Sequence, residues 1–263
     1  MPAPRAPAPS TTLSGGAALR MLPEETPVAM VFDGASHAVM MATPADLEDF
    51  ALGFALSEGI ARGPSDLGAP EIVAREAGIE ARMWLSPDRA EALAARRRAL
   101  AGPVGCGLCG IESLEQALRP LAPLPADALR IPAAEVAAAP DALRALQPLH
   151  AETRATHAAG FLVPGRGVVL AREDVGRHNA LDKLIGALAR AGIDPASGAA
   201  VLTSRVSTEM VQKAVSAGIP AVIAVSAPTA AALRIAQGAG LTLAAFARGG
   251  GAEIFAHPAR IVS

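Results

Sequence analysis

Apolar and polar positions along this 263-residue chain change their period twice. Pro27 to Phe32 and His37 to Met41 form short strand-like blocks joined by Asp33-Gly34, a dipeptide suited to the positive φ angles of a tight hairpin. From Pro44 to about Glu58 the spacing becomes helical. Leu47, Phe50, Ala51 and Phe54 share one stripe, Thr43 and Asp46 spell a capping box, Pro44 suits the first helical position and Gly59 ends the run. Glu71 to Arg75 and Ile79 to Leu85 predict a second strand pair turned at Gly78, followed by a helix from Arg89 to Leu100. The Arg96-Arg97-Arg98 run on that helix reads as a solvated face, with a shallow anion-attracting patch as the alternative. Residues 21–100 are thus expected to form a small α+β subdomain. Residues 1–20, mostly Pro, Ala, Ser, Thr and Gly with only Arg5 and Arg20 charged, are expected to be a disordered tail.

Leu121 to Leu149 is Pro-broken and alanine-rich, with short helices expected at 133–138 and, capped by Asp141, at 142–147; it reads as a connecting arm. After Gly160 the period changes again. Phe161 to Val163 and Val168 to Ala171 predict a hairpin around Pro164-Gly165, and Asn179 to Ala191 an amphipathic helix closed by Gly192. Strand and helix then alternate: strands at 200–203, 221–225 and 241–246, helices at 208–217 and 230–237. That spacing predicts an α/β fold with mostly parallel βαβ units, and places ligands at the carboxyl ends of the strands. Those ends are Ser204-Arg205, Ser226-Ala227-Pro228 and Ala247 to Gly251.

Composition narrows the chemistry. With 51% hydrophobic and 18% charged residues the chain can bury a large core, and its formal charge of −2 gives no basic field for non-specific nucleic-acid binding. Aromatics are only 3%, so base-stacking platforms are not expected. The uncharged stretch Ala214 to Leu233 has membrane-span length, but Pro220, Pro228 and its many alanines read better as a strand between helix ends. No secretory signal pattern is present in residues 1–20, and a cytoplasmic protein without membrane association is expected. Two cysteines cannot by themselves complete a four-thiolate metal site or a disulfide scaffold, so any metal would need histidine or carboxylate ligands as well; no permanent metal is expected.

Those cysteines stand in Val104-Gly105-Cys106-Gly107-Leu108-Cys109-Gly110, ahead of a helix-like spacing of Leu114, Ala117 and Leu118. A glycine-rich turn at a helix start offers free amides, the positive end of a helix dipole and little steric cover, conditions that acidify and expose thiols. Two buried structural cysteines are the bland alternative, which the three glycines argue against. Three chemistries remain open: dithiol–disulfide exchange, zinc deaminase chemistry and sulfur relay through a persulfide. The deaminase pattern has its H-x-E upstream, whereas His150-Ala151-Glu152 lies downstream of the cysteines.

Four further segments carry polar groups. Arg172-Glu173-Asp174-Val175-Gly176-Arg177-His178-Asn179 joins a strand to a helix and reads as an anion-competent site with Asn179 as cap and Lys183 one turn in, or as a surface salt-bridge cluster. Ser204-Arg205 repeats hydroxyl and arginine at the next strand end. His157 lies among small residues, where a lone histidine is more often structural. Phe246-Ala247-Arg248-Gly249-Gly250-Gly251 offers glycine backbone for close approach of a phosphate or ring.

Taken in order, CGLCG, THAA, REDVGRHNALDK, SRVSTEMVQKA, GIPAVIAVSAPT and LTLAAFARGG followed by HP resemble the formate dehydrogenase accessory sulfurtransferase family of the FdhD/NarQ type, over residues 22–261. The resemblance implies a sulfurtransferase that takes persulfide sulfur from a cysteine desulfurase. It would pass that sulfur to the molybdenum of bis(molybdopterin guanine dinucleotide), bound as a substrate, for the formate dehydrogenase catalytic subunit. It implies a cytidine-deaminase-like α/β domain over 101–263, a homodimer, Cys106 as the persulfide carrier with Cys109 as its partner, and Phe246 to Gly251 as cofactor-binding. Arg177, His178, Ser204, Arg205 and His157 complete the expected rim. Two departures stand out: Arg154 where the family usually has glycine, and Arg248-Gly249-Gly250-Gly251 where it usually carries a Lys-Pro-Gly-Arg-like segment. A cofactor-binding chaperone without sulfur chemistry is the alternative reading, and a zinc-dependent deaminase-like enzyme a further one.

Overall fold

Asp33 and Gly34 take φ angles of 52° and 77° and close a hairpin between β3 (Thr26–Phe32) and β4 (Ala35–Ala42), as their sequence predicts. The structure, a computed structural model, describes residues 1–100, 121–125 and 128–263. β3 also pairs in parallel with β6 (Gly78–Met83), which pairs antiparallel with β5 (Glu71–Arg75), giving a four-stranded sheet of order β4-β3-β6-β5. Val28, Met30, Phe32, Ile79, Ala81 and Met83 alternate onto one face of it and pack against Phe50, Ala51 and Phe54 of α1 (Leu47–Ser57). Helix α1 starts three residues later than the sequence predicts. Thr43 does not cap it; Thr43 is fully buried and its backbone and hydroxyl bond to another part of the chain.

Helix α2 (Pro87–Leu100) lies over the end of α1. Arg89 donates to the carbonyls of Ile60 and Gly59 at 2.8 Å each, Arg96 to that of Glu58 at 3.2 Å, and Arg97 to that of Ala35 at 3.3 Å. These arginines therefore satisfy orphan carbonyls at a helix end and a hairpin turn instead of forming a purely solvated face.

Residues 5–23, expected as disordered for most of their length, form an antiparallel hairpin of β1 (Arg5–Thr11) and β2 (Ala17–Pro23). Its hydrogen-bonded pairs include Pro4 with Glu24 and Thr12 with Gly16, so Pro7 and Pro9 fall on alternate positions where no N–H is needed. Gly15, at φ 86°, turns the chain, and Arg5 Nε pairs with Glu152 Oε2 at 2.5 Å.

The larger sheet has the order β13-β12-β11-β10-β8-β9. Its centre is parallel: β10 (Ala199–Leu202), β11 (Ala221–Ala224) and β12 (Thr242–Arg248). Antiparallel strands flank it, β8 (His157–Val163) and β9 (Gly167–Asp174) on one side and β13 (Gly251–Ala256) on the other, so the sheet is mixed and its parallel part is three strands. β10 and β11 are buried on both faces, which is why their sequences are continuously apolar. Ala200, Leu202, Val222, Ala224 and Leu243 pack under α5 (Arg177–Ala191), α6 (Thr208–Ser216) and α7 (Ala230–Ala239). Val201, Ile223 and Ala244 pack under α3 (Ala133–Arg144), whose Val136, Ala139 and Leu143 face them. The expected arm with two short helices is thus one helix covering a sheet face. It accommodates Pro140 in its interior because the gain from burying this face outweighs one missing backbone bond.

Helices α1 and α5 cross at glycines. A Cβ on Gly53 would stand 1.7 Å from the Asp182 carbonyl oxygen, and one on Gly186 1.9 Å from that of Asp49. The obstacle is backbone in both cases, so it cannot rotate aside. We expect Gly53→Ala to cost about 2–3 kcal/mol through forced separation of the helices, read as a fall of roughly 5 °C in Tm. Gly238→Ala in α7, where nothing lies within 4 Å, should instead stabilise by up to about 1 kcal/mol. A Gly53→Ala chain melting with the native protein would refute the close crossing.

Candidate functional site

Because β10, β11 and β12 run parallel, their carboxyl ends share one edge, and the antiparallel β8 and β9 bring their His157 and Asp174 ends to it. Backbone bonds stitch the edge together: Thr203 N–H to the Ala158 carbonyl at 3.2 Å, Val225 N–H to Leu202 at 2.9 Å, Val206 N–H to Ala227 at 3.1 Å and Phe246 N–H to Ser226 at 3.3 Å. His157, Arg177, His178, Ser204, Arg205 and the Phe246–Gly251 segment are therefore gathered on one rim. Cys106 and Cys109 lie outside the described residues.

The Arg172–Lys183 segment divides into two roles. Most of its charge makes internal pairs, and Lys183, expected as part of an anion site, is among them. Lys183, fully buried, pairs with the equally buried Asp174 at 2.6 Å and donates to the Thr43 carbonyl at 2.9 Å. Asp174 also accepts from the backbone of Thr43 and Gly176 and from Asn179, which is not the helix cap; Gly176 holds that position. Glu173 accepts from the backbone of Leu149 and His150 and so caps α4 (Pro148–Thr153). Arg172 and Arg190 both reach Asp49, at 2.7 and 2.8 Å. Further along α5, Asp182 takes the Ser57 hydroxyl at 2.6 Å and the Lys213 ammonium at 3.0 Å, and Lys213 also meets Glu58 at 2.7 Å. Burial pushes Asp182 above the ordinary carboxylate range, while two carboxylates around Lys213 outweigh burial and hold it protonated.

His178 reaches the rim, and Arg177 lies near enough to His157 and Glu209 to act on both electrostatically. Arg177 Nε is buried and has no hydrogen-bond partner among the described residues. His178 Nε2 lies 2.8 Å from Glu209 Oε2 and 3.4 Å from the Ser207 hydroxyl. That bond holds the Glu209 carboxyl below its usual range. Burial, with Arg177 and His150 nearby, lowers the pKa of His157, which favours a neutral imidazole. Glu209 was not among the residues singled out in the sequence; its position in the first turn of α6 was the available signal. Ser204 is buried and donates to the Arg205 carbonyl at 2.9 Å, and Arg205 is exposed.

The Phe246–Gly251 segment is a bulged hairpin. Gly249 and Gly250, at φ 59° and 81°, make the two-residue turn between β12 and β13, so the turn accounts for two of the three glycines. Phe246 adopts φ 51°, a left-handed conformation costly for a bulky side chain, at a bulge between Ala245 and Arg248. Its ring rests against Phe255 with centroids 6.0 Å apart. Strain stored at this bulge, where Phe246 N–H donates to the Ser226 carbonyl, marks the position as one held for its side chain or backbone direction.

His150 and Glu152 are engaged elsewhere, His150 Nδ1 with the Thr156 carbonyl at 3.0 Å and Glu152 with Arg5. Among the described residues no three His, Cys, Asp or Glu gather at metal-binding spacing, and no helix is long and apolar enough to cross a membrane. Arg154 takes φ 59° just after α4, the left-handed position where glycine is favoured. Arg154→Gly is accordingly expected to stabilise the chain by about 0.5–1 kcal/mol, measurable as a rise of roughly 2 °C in Tm; a fall would mean the side chain contributes more than its backbone strain costs.

Fold and rim define a mixed α/β protein that presents a polar strand edge and carries an isolated C-x-x-C pair. The chain belongs to the FdhD/NarQ family, whose match spans residues 23–262. Sulfur carrier proteins named FdhD from Bordetella bronchiseptica and Agrobacterium fabrum are 54% and 51% identical to it, covering 91% and 92% of this chain and 87% and 90% of their own. A crystal structure of a protein proposed as a formate dehydrogenase accessory protein from Desulfotalea psychrophila superposes with a TM-score of 0.76 at 25% identity, covering 98% of each chain.

Proposed function

We propose that the chain is a sulfur carrier for formate dehydrogenase. The thiolate of Cys106 attacks the terminal sulfur of a cysteine desulfurase persulfide, forming Cys106–S–SH and returning the desulfurase cysteine as thiolate. The S–S bond of Cys106–S–SH would then break, leaving Cys106 as thiolate, releasing the proton and passing the outer sulfur to the molybdenum of bis(molybdopterin guanine dinucleotide), the substrate, whose metal would supply the two electrons that take this sulfur to the sulfide level, at the strand edge before the cofactor enters the dehydrogenase. Phe246 to Gly251, Arg177, His178, Ser204, Arg205 and His157 form the binding rim. Few aromatics are available, so guanine dinucleotide recognition falls to arginines, glycine backbone and helix ends.

The observation that carries this reading is the pairing of the chain's only two thiols in C-x-x-C with 54% identity to a protein named as a sulfur carrier. Incubation with a cysteine desulfurase and free cysteine, followed by intact-protein mass spectrometry, tests it. A one-sulfur adduct that thiol reductant removes is expected; a chain that stays at its native mass would overturn the carrier role.

A further inference from the structure

Helix α2 carries three half-buried arginines, Arg89, Arg96 and Arg97, that have no carboxylate within 4.0 Å among the described residues. Their acceptors are backbone carbonyls: Gly59 and Ile60 for Arg89, Glu58 for Arg96 and Ala35 for Arg97. A neutral carbonyl satisfies an N–H and leaves the charge standing. The C-terminal end of α1 supplies only about half an elementary negative charge against two guanidiniums. Glu58, whose carbonyl accepts from Arg96, sends its carboxylate to Lys213 at 2.7 Å. The other acids of this region, Asp66, Asp88 and Glu91, belong to the chain ahead of α2 and its first half, so the helix is acidic at its start and basic toward its end.

The arginines also frame a cleft. Arg89 and Arg96, two turns apart on one face of α2, line a space of about 220 Å³ whose other walls are Gly59, Ile60, Ala92 and Leu93. That is below the roughly 300 Å³ at which small-molecule pockets begin, and suits a single side chain. An apolar floor under two guanidiniums matches an aspartate or glutamate, whose stem is apolar and whose end is a carboxylate. Each guanidinium has five N–H groups; Arg89 uses two of them and Arg96 one on the α1 end, which leaves donors for such a guest.

Position in the chain selects the partner. Cys106 follows Leu100, the last residue of α2, by six residues, so it lies within about 22 Å of the helix end whatever path the chain takes. The rim proposed for the cofactor belongs to the other sheet. We propose that the α1–α2 cleft docks an acidic segment of the protein that supplies sulfur, with one of its carboxylate side chains seated between Arg89 and Arg96 and Arg97 adding attraction during approach. This rests on the reading of the chain as a sulfur carrier, and it assigns the donor a surface of its own.

The test follows adduct formation on the full chain by intact-protein mass spectrometry, as a second-order rate against the concentration of a persulfide-charged cysteine desulfurase. Arg89→Gln with Arg96→Gln keeps an N–H for the carbonyls and removes the charge. It is expected to slow loading at least tenfold at low ionic strength, and to approach the native rate near 1 M salt, where screening shortens to about 3 Å. Arg89→Lys with Arg96→Lys, which keeps the charge and loses the planar fork, should slow it less. Thermal melts accompany each variant, and Arg97→Gln, expected to slow loading about threefold, carries the test if the double glutamine chain does not fold. The persulfide of 2-mercaptoethanol, a donor with neither carboxylate nor protein surface, should load native and variant chains at one rate. Native rates with the desulfurase in the glutamine variants, equal slowing with the small persulfide, or slowing that persists in high salt overturns the inference and leaves the carrier role intact. Absence of an adduct on the native chain from both donors overturns the carrier role, and the docking site falls with it.

Discussion

Cys106→Ala is expected to abolish the sulfur adduct altogether, the largest functional effect of any substitution in the chain. With two cysteines in 263 residues, a persulfide has only two possible positions. A C-x-x-C arrangement favours the thiolate, which is the nucleophile in sulfur transfer. The reacting thiolate displaces the desulfurase cysteine, and neither an external oxidant nor a reductant enters the balance. Cys109→Ala should retain the adduct and lose it more slowly. In the native chain the Cys109 thiolate can attack the inner sulfur of Cys106–S–SH, forming the Cys106–Cys109 disulfide and releasing hydrosulfide; alanine removes that route. Persistence of the adduct in Cys106→Ala, with its loss in Cys109→Ala, would exchange the two roles. Persistence in the double variant would place the sulfur on a group other than cysteine and end the persulfide mechanism.

The elements that position the rim were legible because they obey local rules. Asp33-Gly34 closes its hairpin, Gly192 ends α5 at φ 64°, and the alternation from Ala200 onward gives the three parallel strands whose ends converge. What escaped depends on partners distant in sequence. Lys183 looked like an anion ligand one turn into a helix, but its acceptors include the carbonyl of Thr43, 140 positions away. Thr43 looked like a cap for α1, yet Asp174 and Val175 claim its amide and hydroxyl. The first 20 residues have a composition of disorder, and their pairing depends on Pro7 and Pro9 both falling on positions that need no donor, a parity fixed only by the register. β13 was missed because the glycines before it read as a ligand loop, when two of them are the turn that creates the strand.

Lys183→Met is expected to cost about 3–5 kcal/mol, the largest loss of stability among these substitutions. The ammonium and the Asp174 carboxylate are both fully buried, at 2.6 Å, with the Phe50 ring 5.8 Å from the charge. Methionine has nearly the same volume, so the cavity term is small and the penalty arises from an uncompensated carboxylate. Asp174 would keep the amides of Thr43 and Gly176 and the Asn179 side chain, three donors that soften the loss without supplying the missing charge. The damage should extend to function, since Asp174 ties the start of α5, and with it Arg177 and His178, to the Thr43 segment ahead of α1. A Tm fall of roughly 10 °C is the expected reading. Asp174→Asn combined with Lys183→Met should recover part of it, because the neutral amide no longer needs the ammonium, and the cycle then isolates the pair's coupling. If Lys183→Met alone stays within about 1 kcal/mol of the native chain, the pair is not the fastening between the two sheets' helices that its geometry describes, and the orientation of the rim must be set by the glycine crossing of α1 and α5 instead.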